Sequence, residues 1–242
     1  MQDDGYFGEA VAARYDQNHA GVDPLVLARS VDVLFDLAAG APALEFAIGT
    51  GRVALPLAAK GCAVSGIELS AAMLAELRKK ETGTPLNVTL GDMTTARVPG
   101  QFGLVYLVYN TIDNLCTQAA QVACFGNAAA HLAPGGRFLI ETLVPPLQKI
   151  PFGEDKLVTD ASDDHICIDA FDVVTQSYSS RHVWMQGQGA RVSQIPFRYA
   201  WPAELDLMAQ MAGMVLEHRW ADWARAPFTA QSESHISVWR KA

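Results

Sequence analysis

The stretch "ALEFAIGTGRVALPLAAKGCAVSGIELS", residues 43–70, sets Gly49-Thr50-Gly51 at the end of one apolar run and Glu68 at the end of the next. Glycines without side chains let a ligand approach the backbone closely. A carboxylate about twenty residues further on can accept both hydroxyls of a ribose. The spacing therefore suits an adenosine-containing ligand. Gly49, Gly51 and Ala54 also satisfy the dinucleotide pattern G-x-G-x-x-G/A, which is weak alone. Glu45 and Asp92 narrow the choice. A negative charge at Glu45, inside the first strand, gains nothing beside a pyrophosphate but suits a ligand with an ammonium and a sulfonium. Gly91-Asp92-Met93 puts another carboxylate where an adenine amine could donate to it.

These residues need a scaffold. Short apolar runs at 43–48, 62–67, 86–90, 103–108 and 137–142 alternate with segments of helical composition, which predicts an α/β fold with a parallel sheet covered on both faces. Residues 24–39 carry helical apolar spacing between Asp23-Pro24 and Gly40-Ala41-Pro42. From 156 to 200 the chain turns rich in Val, Ile, Phe, Tyr, Thr and Ser, with turn signals at Ser162-Asp163-Asp164 and Gly187-Gln188-Gly189. That composition predicts antiparallel strands. Ile195, Phe197, Tyr199 and Trp201 alternate with Pro196, Arg198 and Ala200, so the large side chains share a face. A helix from Pro202 to about Ala212 and strands at 214–220 and 235–240 complete the pattern. The expected organisation is one domain over 1–242, with an N-terminal cap to residue 40, a cofactor-binding core at 41–150, a β insertion at 151–201 on the substrate side, and a C-terminal helix and hairpin at 202–242.

Composition excludes several classes. Of 242 residues, 50% are hydrophobic and 18% charged, as in a folded globule. The formal charge of −8 disfavours a nucleic-acid partner. No apolar stretch is long enough for a membrane span, and the N-terminus lacks a signal-peptide pattern, so a cytoplasmic protein is expected, as monomer or homodimer. The cysteines Cys62, Cys116, Cys124 and Cys167 have no CxxC spacing, and no metal site is indicated.

Taken in order, "LEFAIGTGRVALPLAAKGCAVSGIELSAAML", "LGDM" and "HLAPGGRFLIETL" resemble the class I S-adenosylmethionine-dependent methyltransferases over roughly residues 10–150 plus the C-terminal hairpin. The resemblance implies a Rossmann-like sheet of seven strands, the last antiparallel, with S-adenosylmethionine across the first four strand ends. It implies that Ala47, Gly49, Thr50 and Gly51 hold the methionine portion, with Glu45 near the amine and Glu68 on the ribose. Asp92 would bind the adenine amine, with Leu69, Met73 and Met93 around the ring and Tyr109-Asn110 on the sulfonium side. Ala47 departs from the family pattern, which has glycine there. Tyr15 is expected at the methionine carboxylate, with Tyr6 and Phe7 as a lid.

The expected acceptor is a small molecule enclosed by Trp184, Phe197, Tyr199 or Trp201, with an amine slightly preferred over an oxygen. The layout resembles N-methyltransferases of amino sugars and small amines, and O-methyltransferases share it. Candidate bases are His19, Glu141, His165, His182 and Tyr199, of which Glu141 and Tyr199 are taken forward as catalytic. His131 is set aside as a helix end. A nicotinamide-dependent reductase would share the glycine turn but needs a Tyr-x-x-x-Lys or comparable signature, which is absent. A non-catalytic cofactor-binding scaffold would keep the fold and lack an acceptor cavity.

Overall fold

A computed structural model describes residues 7–18, 23–187 and 189–242 of the chain. Tyr6 and His19 lie outside the described residues. Strands β1 (Ala43–Phe46), β2 (Val64–Glu68), β3 (Asn87–Leu90), β4 (Phe102–Leu107), β5 (Leu132–Leu143), β10 (Met214–Trp220) and β11 (Ser234–Lys241) form one sheet in the order β10-β11-β5-β4-β1-β2-β3. The pairs β1–β2, β1–β4, β2–β3 and β4–β5 are parallel, and β11 runs antiparallel to both β5 and β10. Strand order reverses between β1 and β4, and the crevice at that switch point is where an open α/β sheet receives its ligand.

Central strands this apolar must be covered on both faces. One face packs Leu44, Phe46, Ile67, Phe138 and Ile140 against α5 (Gln118–His131) and α6 (Pro202–Met211). The other packs Ala43, Leu104, Tyr106 and Leu139 against α2 (Pro24–Ala38) and α3 (Ala54–Ala59). Local signals set the helix ends. Asp23 caps α2 by accepting from the Leu25 amide at 2.9 Å, with Pro24 in the first turn. Ser70 caps α4 (Ala71–Lys80) through the Met73 amide at 3.1 Å, and Arg78, Lys79 and Lys80 close its negative end.

The insertion forms its own antiparallel sheet, β6 (Lys156–Ala161), β7 (His165–Asp172), β8 (Ser177–Gln186) and β9 (Gly189–Arg198), in that order. Register aligns Trp184, His182, Ser180 and Tyr178 of β8 with His165, Cys167, Asp169 and Phe171 of β7, and with Arg191, Ser193, Ile195 and Phe197 of β9. These twelve residues share one face, because alternate side chains of a strand point the same way. That face is turned inward: Cys167, Ser180 and Phe171 are 5%, 8% and 8% exposed, whereas Val158, Val192 and Met185 of the opposite face are 58%, 52% and 44% exposed. Tyr178 anchors the inward face to the core by donating to Asp113 at 3.0 Å. Asp113 belongs to a 3-10 turn, Thr111–Asn114, just after β4.

Candidate active site

The expected cofactor residues collect at the carboxyl ends of β1, β2 and β4. Gly49 and Gly51 both take positive φ, +57° and +77°, which an L side chain rarely adopts. A Cβ on Gly51 would also sit 3.0 Å from Leu77. Ala47 takes φ +52° without being glycine, so the turn carries local strain of about 1 kcal/mol or more. Glu68 is 6% exposed and held from two sides: Oε2 accepts from the Gly49 amide at 2.7 Å and Oε1 from the Ser70 amide at 2.8 Å. One carboxylate thus ties the end of β2 to the glycine turn, and each oxygen keeps a further lone pair. Asp92 uses Oδ1 to accept from the amide and hydroxyl of Thr94, at 2.7 and 2.8 Å, and is itself exposed. Met73 and Met93 are buried beside this edge, and Leu69 is half-buried.

Glu45 does not reach the surface of the site. It is 3% exposed, lies beneath the turn and accepts from the Tyr106 hydroxyl at 2.9 Å. Burial pushes its carboxyl up to about 8, with the Glu68 charge adding to the effect and the Tyr106 hydrogen bond opposing it. The position expected to meet an ammonium is a brace below the turn.

Arg52, one residue beyond Gly51, was missed because an arginine in the first turn of a helix reads as a surface side chain. Its guanidinium lies over the Tyr109 ring, 3.6 Å from the centroid. Nη1 and Nη2 are buried with no hydrogen-bond partner among the described residues. Buried donors are rarely left unpaired, because each costs about 1–3 kcal/mol. A planar fork with two free arms matches a carboxylate. Tyr15 stands beside it: burial raises its phenol, opposed first by the Arg52 charge.

Tyr15 lies on α1 (Glu9–Asn18), which is docked over the turn. The Thr50 hydroxyl donates to Asp16 Oδ1 at 2.6 Å, Lys80 bonds Asp16 Oδ2 at 2.6 Å, and the Ser70 hydroxyl donates to the Phe7 carbonyl at 2.6 Å. Phe7 and Tyr15 meet edge to face, 6.3 Å between centroids. Thr50, 1% exposed, is spent on this docking.

Tyr109 and Asn110 both sit in the left-handed region, φ +58° and +57°. Two successive non-glycine residues there need support. Glu141 supplies it, accepting from the Tyr109 amide through Oε2 at 3.0 Å and from the Trp223 indole through Oε1 at 2.6 Å, while its own carbonyl accepts from the Asn110 amide at 3.2 Å. The catalytic role expected of Glu141 does not fit this placement, since both oxygens already hold donors. Tyr199 fits no better as a base. It is 4% exposed among the rings of Phe171, Tyr178 and Trp201, and burial raises its phenol. His131 is structural: Nε2 accepts from the Val98 amide at 2.9 Å and Nδ1 donates to the Asn127 carbonyl at 2.8 Å.

His165 and His182 stand together on the inward face, with His165 Nε2 3.0 Å from His182 Nδ1. Trp184 stacks on both rings, Phe197 stacks on Tyr178, and Trp201 stands apart at the start of α6. Asp113, 4% exposed, was also missed. Burial pushes its carboxyl up to about 7, opposed by the Tyr178 hydrogen bond.

With this arrangement in view, comparison with known proteins is informative. The CcbJ methyltransferase from Streptomyces caelestis superposes over 100% of both chains with a TM-score of 0.87 and 35% identity. The chain belongs to the class I S-adenosylmethionine-dependent methyltransferases. A family model described as a methyltransferase domain matches residues 43–136 of the methyltransferase. It is similar to a cypemycin N-terminal methyltransferase from Streptomyces, 25% identical over 209 residues and 82% of each chain. It is also similar to a dTDP-3-amino-3,6-dideoxy-alpha-D-glucopyranose N,N-dimethyltransferase from Streptomyces fradiae, 31% identical over 140 residues, 56% of this chain and 54% of the other. S-adenosylmethionine is the methyl donor, and the unpartnered arms of Arg52 fit its carboxylate. No helix is long and apolar enough to cross a membrane among the described residues.

Proposed function

We propose that the methyltransferase methylates an amine nitrogen of a small-molecule acceptor held between the carboxyl edge of β4 and β5 and the inward face of the insertion. The observation that carries the preference for nitrogen is the placement of Glu141. The carboxylate best sited by topology to deprotonate a hydroxyl has both oxygens bonded to the Tyr109 amide and the Trp223 indole. The names of the two curated relatives, one acting at a peptide N-terminus and one on an amino sugar, point the same way.

When bound, the cofactor supplies an electrophilic methyl carbon on a sulfonium whose sulfur leaves neutral. The protein's work is therefore orientation and exclusion of water, worth up to about 7–11 kcal/mol when alignment is good. Arg52 and Tyr15 hold the carboxylate of the methionine portion, the backbone at Ala47, Gly49 and Gly51 lines it, and Glu45 braces the turn from below. Glu68 receives the ribose hydroxyls, Asp92 receives the adenine amine through Oδ2, and Leu69, Met73 and Met93 enclose the ring. Tyr109 and Asn110 face the sulfonium end, and α1 closes the site through Thr50 and Asp16.

The test is transfer of labelled methyl to matched panels of amines and alcohols. Label on nitrogen, with the alcohols unlabelled, is expected. Label on alcohols alone would overturn the preference, and bound cofactor with no transfer to any acceptor would favour the scaffold reading.

A further inference from the structure

The inward face of the insertion carries a hydrogen-bonded chain that binding of the cofactor does not explain. Asp160 Oδ2 lies 2.6 Å from His165 Nδ1, and His165 Nε2 lies 3.0 Å from His182 Nδ1. The two rings are stacked, 5.2 Å apart and 13° from parallel, and Trp184 packs against both. The chemistry of the donors fixes the protons. An ionised carboxylate only accepts, so His165 carries its proton on Nδ1. Neutral His165 then presents a bare Nε2, which must receive the proton of His182 Nδ1. Neutral His182 is left with its lone pair on Nε2, which lies 3.8 Å from the Cys167 sulfur. The direction of the chain is therefore set from Asp160 outward.

Its position gives that direction a use. The chain occupies the face that Tyr178 anchors over the turn following β4, the side from which an acceptor must approach Asn110. An amine acceptor reaches a neutral-pH site as an ammonium and must lose a proton before nitrogen can attack. We propose that His182 is the general base that takes this proton, with His165 and Asp160 as positioning residues that hold its tautomer. The N–H bond of the acceptor ammonium breaks, its electrons stay on nitrogen as the attacking lone pair, and a new N–H bond forms at His182 Nε2. The imidazolium keeps donating through Nδ1 to His165, and the Asp160 charge offsets the one it has gained. The inference rests on the amine reading and adds the residues that serve it.

The groups facing His182 are His165, Cys167 and Asp169 on β7, Asp160 on β6, and Arg191 on β9, besides Trp184 on its own strand. Burial lowers the His182 imidazole from its ordinary value, the neighbouring His165 lowers it further, and the two aspartates oppose. The ring is thus neutral and able to accept near pH 7. An imidazole so poised matches an ammonium far better than a hydroxyl, whose proton is held much more tightly.

The experiment combines kinetics and spectroscopy on the full chain. Methyl transfer to glucosamine, prolinamide and a glycyl peptide is followed between pH 6.5 and 9.5 for the wild type, His182→Gln, His165→Gln and Asp160→Asn. Loss of a general base typically costs on the order of 100-fold or more. His182→Gln should show such a loss in kcat/KM at pH 6.5 and recover most of it at pH 9.5, where the free amine is already deprotonated. His165→Gln and Asp160→Asn should show smaller losses with the same recovery, and S-adenosylhomocysteine affinity should not change. A deficit equal at every pH would assign His182 a structural role and overturn the proposal. Nitrogen-15 spectra of the imidazoles give a second arm free of turnover: a neutral His182 protonated on Nδ1 supports the chain, and one protonated on Nε2 sinks it. If the wild type labels alcohols alone, the amine reading fails by itself, and the same pH comparison with an alcohol then decides whether His182 acts as a base.

Discussion

Arg52 and Ala47 sit two or three residues from Gly49, and each is held in a state that the free protein does not favour. The Arg52 terminal nitrogens are buried without partners, so the protein carries their desolvation until an anion arrives. Arg52→Met should therefore have opposite effects on two measurements. S-adenosylhomocysteine affinity by calorimetry should fall by about 2–3 kcal/mol, the range for a charge-assisted hydrogen bond. The melting temperature of the unliganded protein should hold or rise, because two buried donors are removed. Ala47, at φ +52°, should show the reverse logic. Ala47→Gly should stabilise the protein by about 1 kcal/mol in urea unfolding and leave more room for the methionine portion. At Glu68, replacement by alanine should weaken cofactor binding by about 2–4 kcal/mol, since the same carboxylate also anchors the Gly49 and Ser70 amides.

Two elements carry the site's closure and its shape. α1 is fastened by Asp16 to Thr50 on the glycine turn and to Lys80 on α4. Asp16→Ala cuts both ties at once. Faster dissociation of S-adenosylhomocysteine in stopped-flow, with early proteolysis in residues 7–18, is the expected outcome; unchanged dissociation would show that α1 does not close the site. The turn after β4 depends on Glu141 in a comparable way. Removal of its carboxylate by Glu141→Ala leaves the Tyr109 amide and Trp223 indole without their acceptor, and a stability loss of about 1–3 kcal/mol should accompany the fall in turnover.

Across the whole molecule, two buried carboxyls link folding to pH. Glu45 is raised from 4.5 to about 8 and Asp113 from 3.8 to about 7, both chiefly by burial. A carboxyl with a raised folded value binds its proton more tightly when folded, so the stability it contributes is complete below about pH 4 and is lost as pH rises through 7 to 8. Stability should therefore decline from pH 5 to pH 8. Glu45→Gln keeps the shape and an acceptor for Tyr106 but cannot ionise. It should flatten that decline, gaining about 1–3 kcal/mol at pH 8 relative to pH 5 in urea titrations. An equal gain at both values would refute the assignment. Asp113 matters at this scale because its bond to Tyr178 joins the insertion to the core turn.

The glycine turn, Glu68, Asp92 and the alternation of strands and helices were legible because each depends on spacing within a few tens of residues, where backbone geometry dictates residue type. The antiparallel insertion was legible for the same reason, through β-branched composition and turn signals. What Glu45, Glu141, His165 and His182 do was not legible. A carboxylate's role depends on which donors reach it, and Glu45 and Glu141 meet Tyr106 and Trp223, 61 and 82 residues away. His165 and His182 look unrelated in the chain, yet strand register puts them in one stack. The sequence alone determined the fold and the kind of cofactor; tertiary packing decided which polar groups brace and which are left to act, because hydrogen-bond partners and burial are set by neighbours in space.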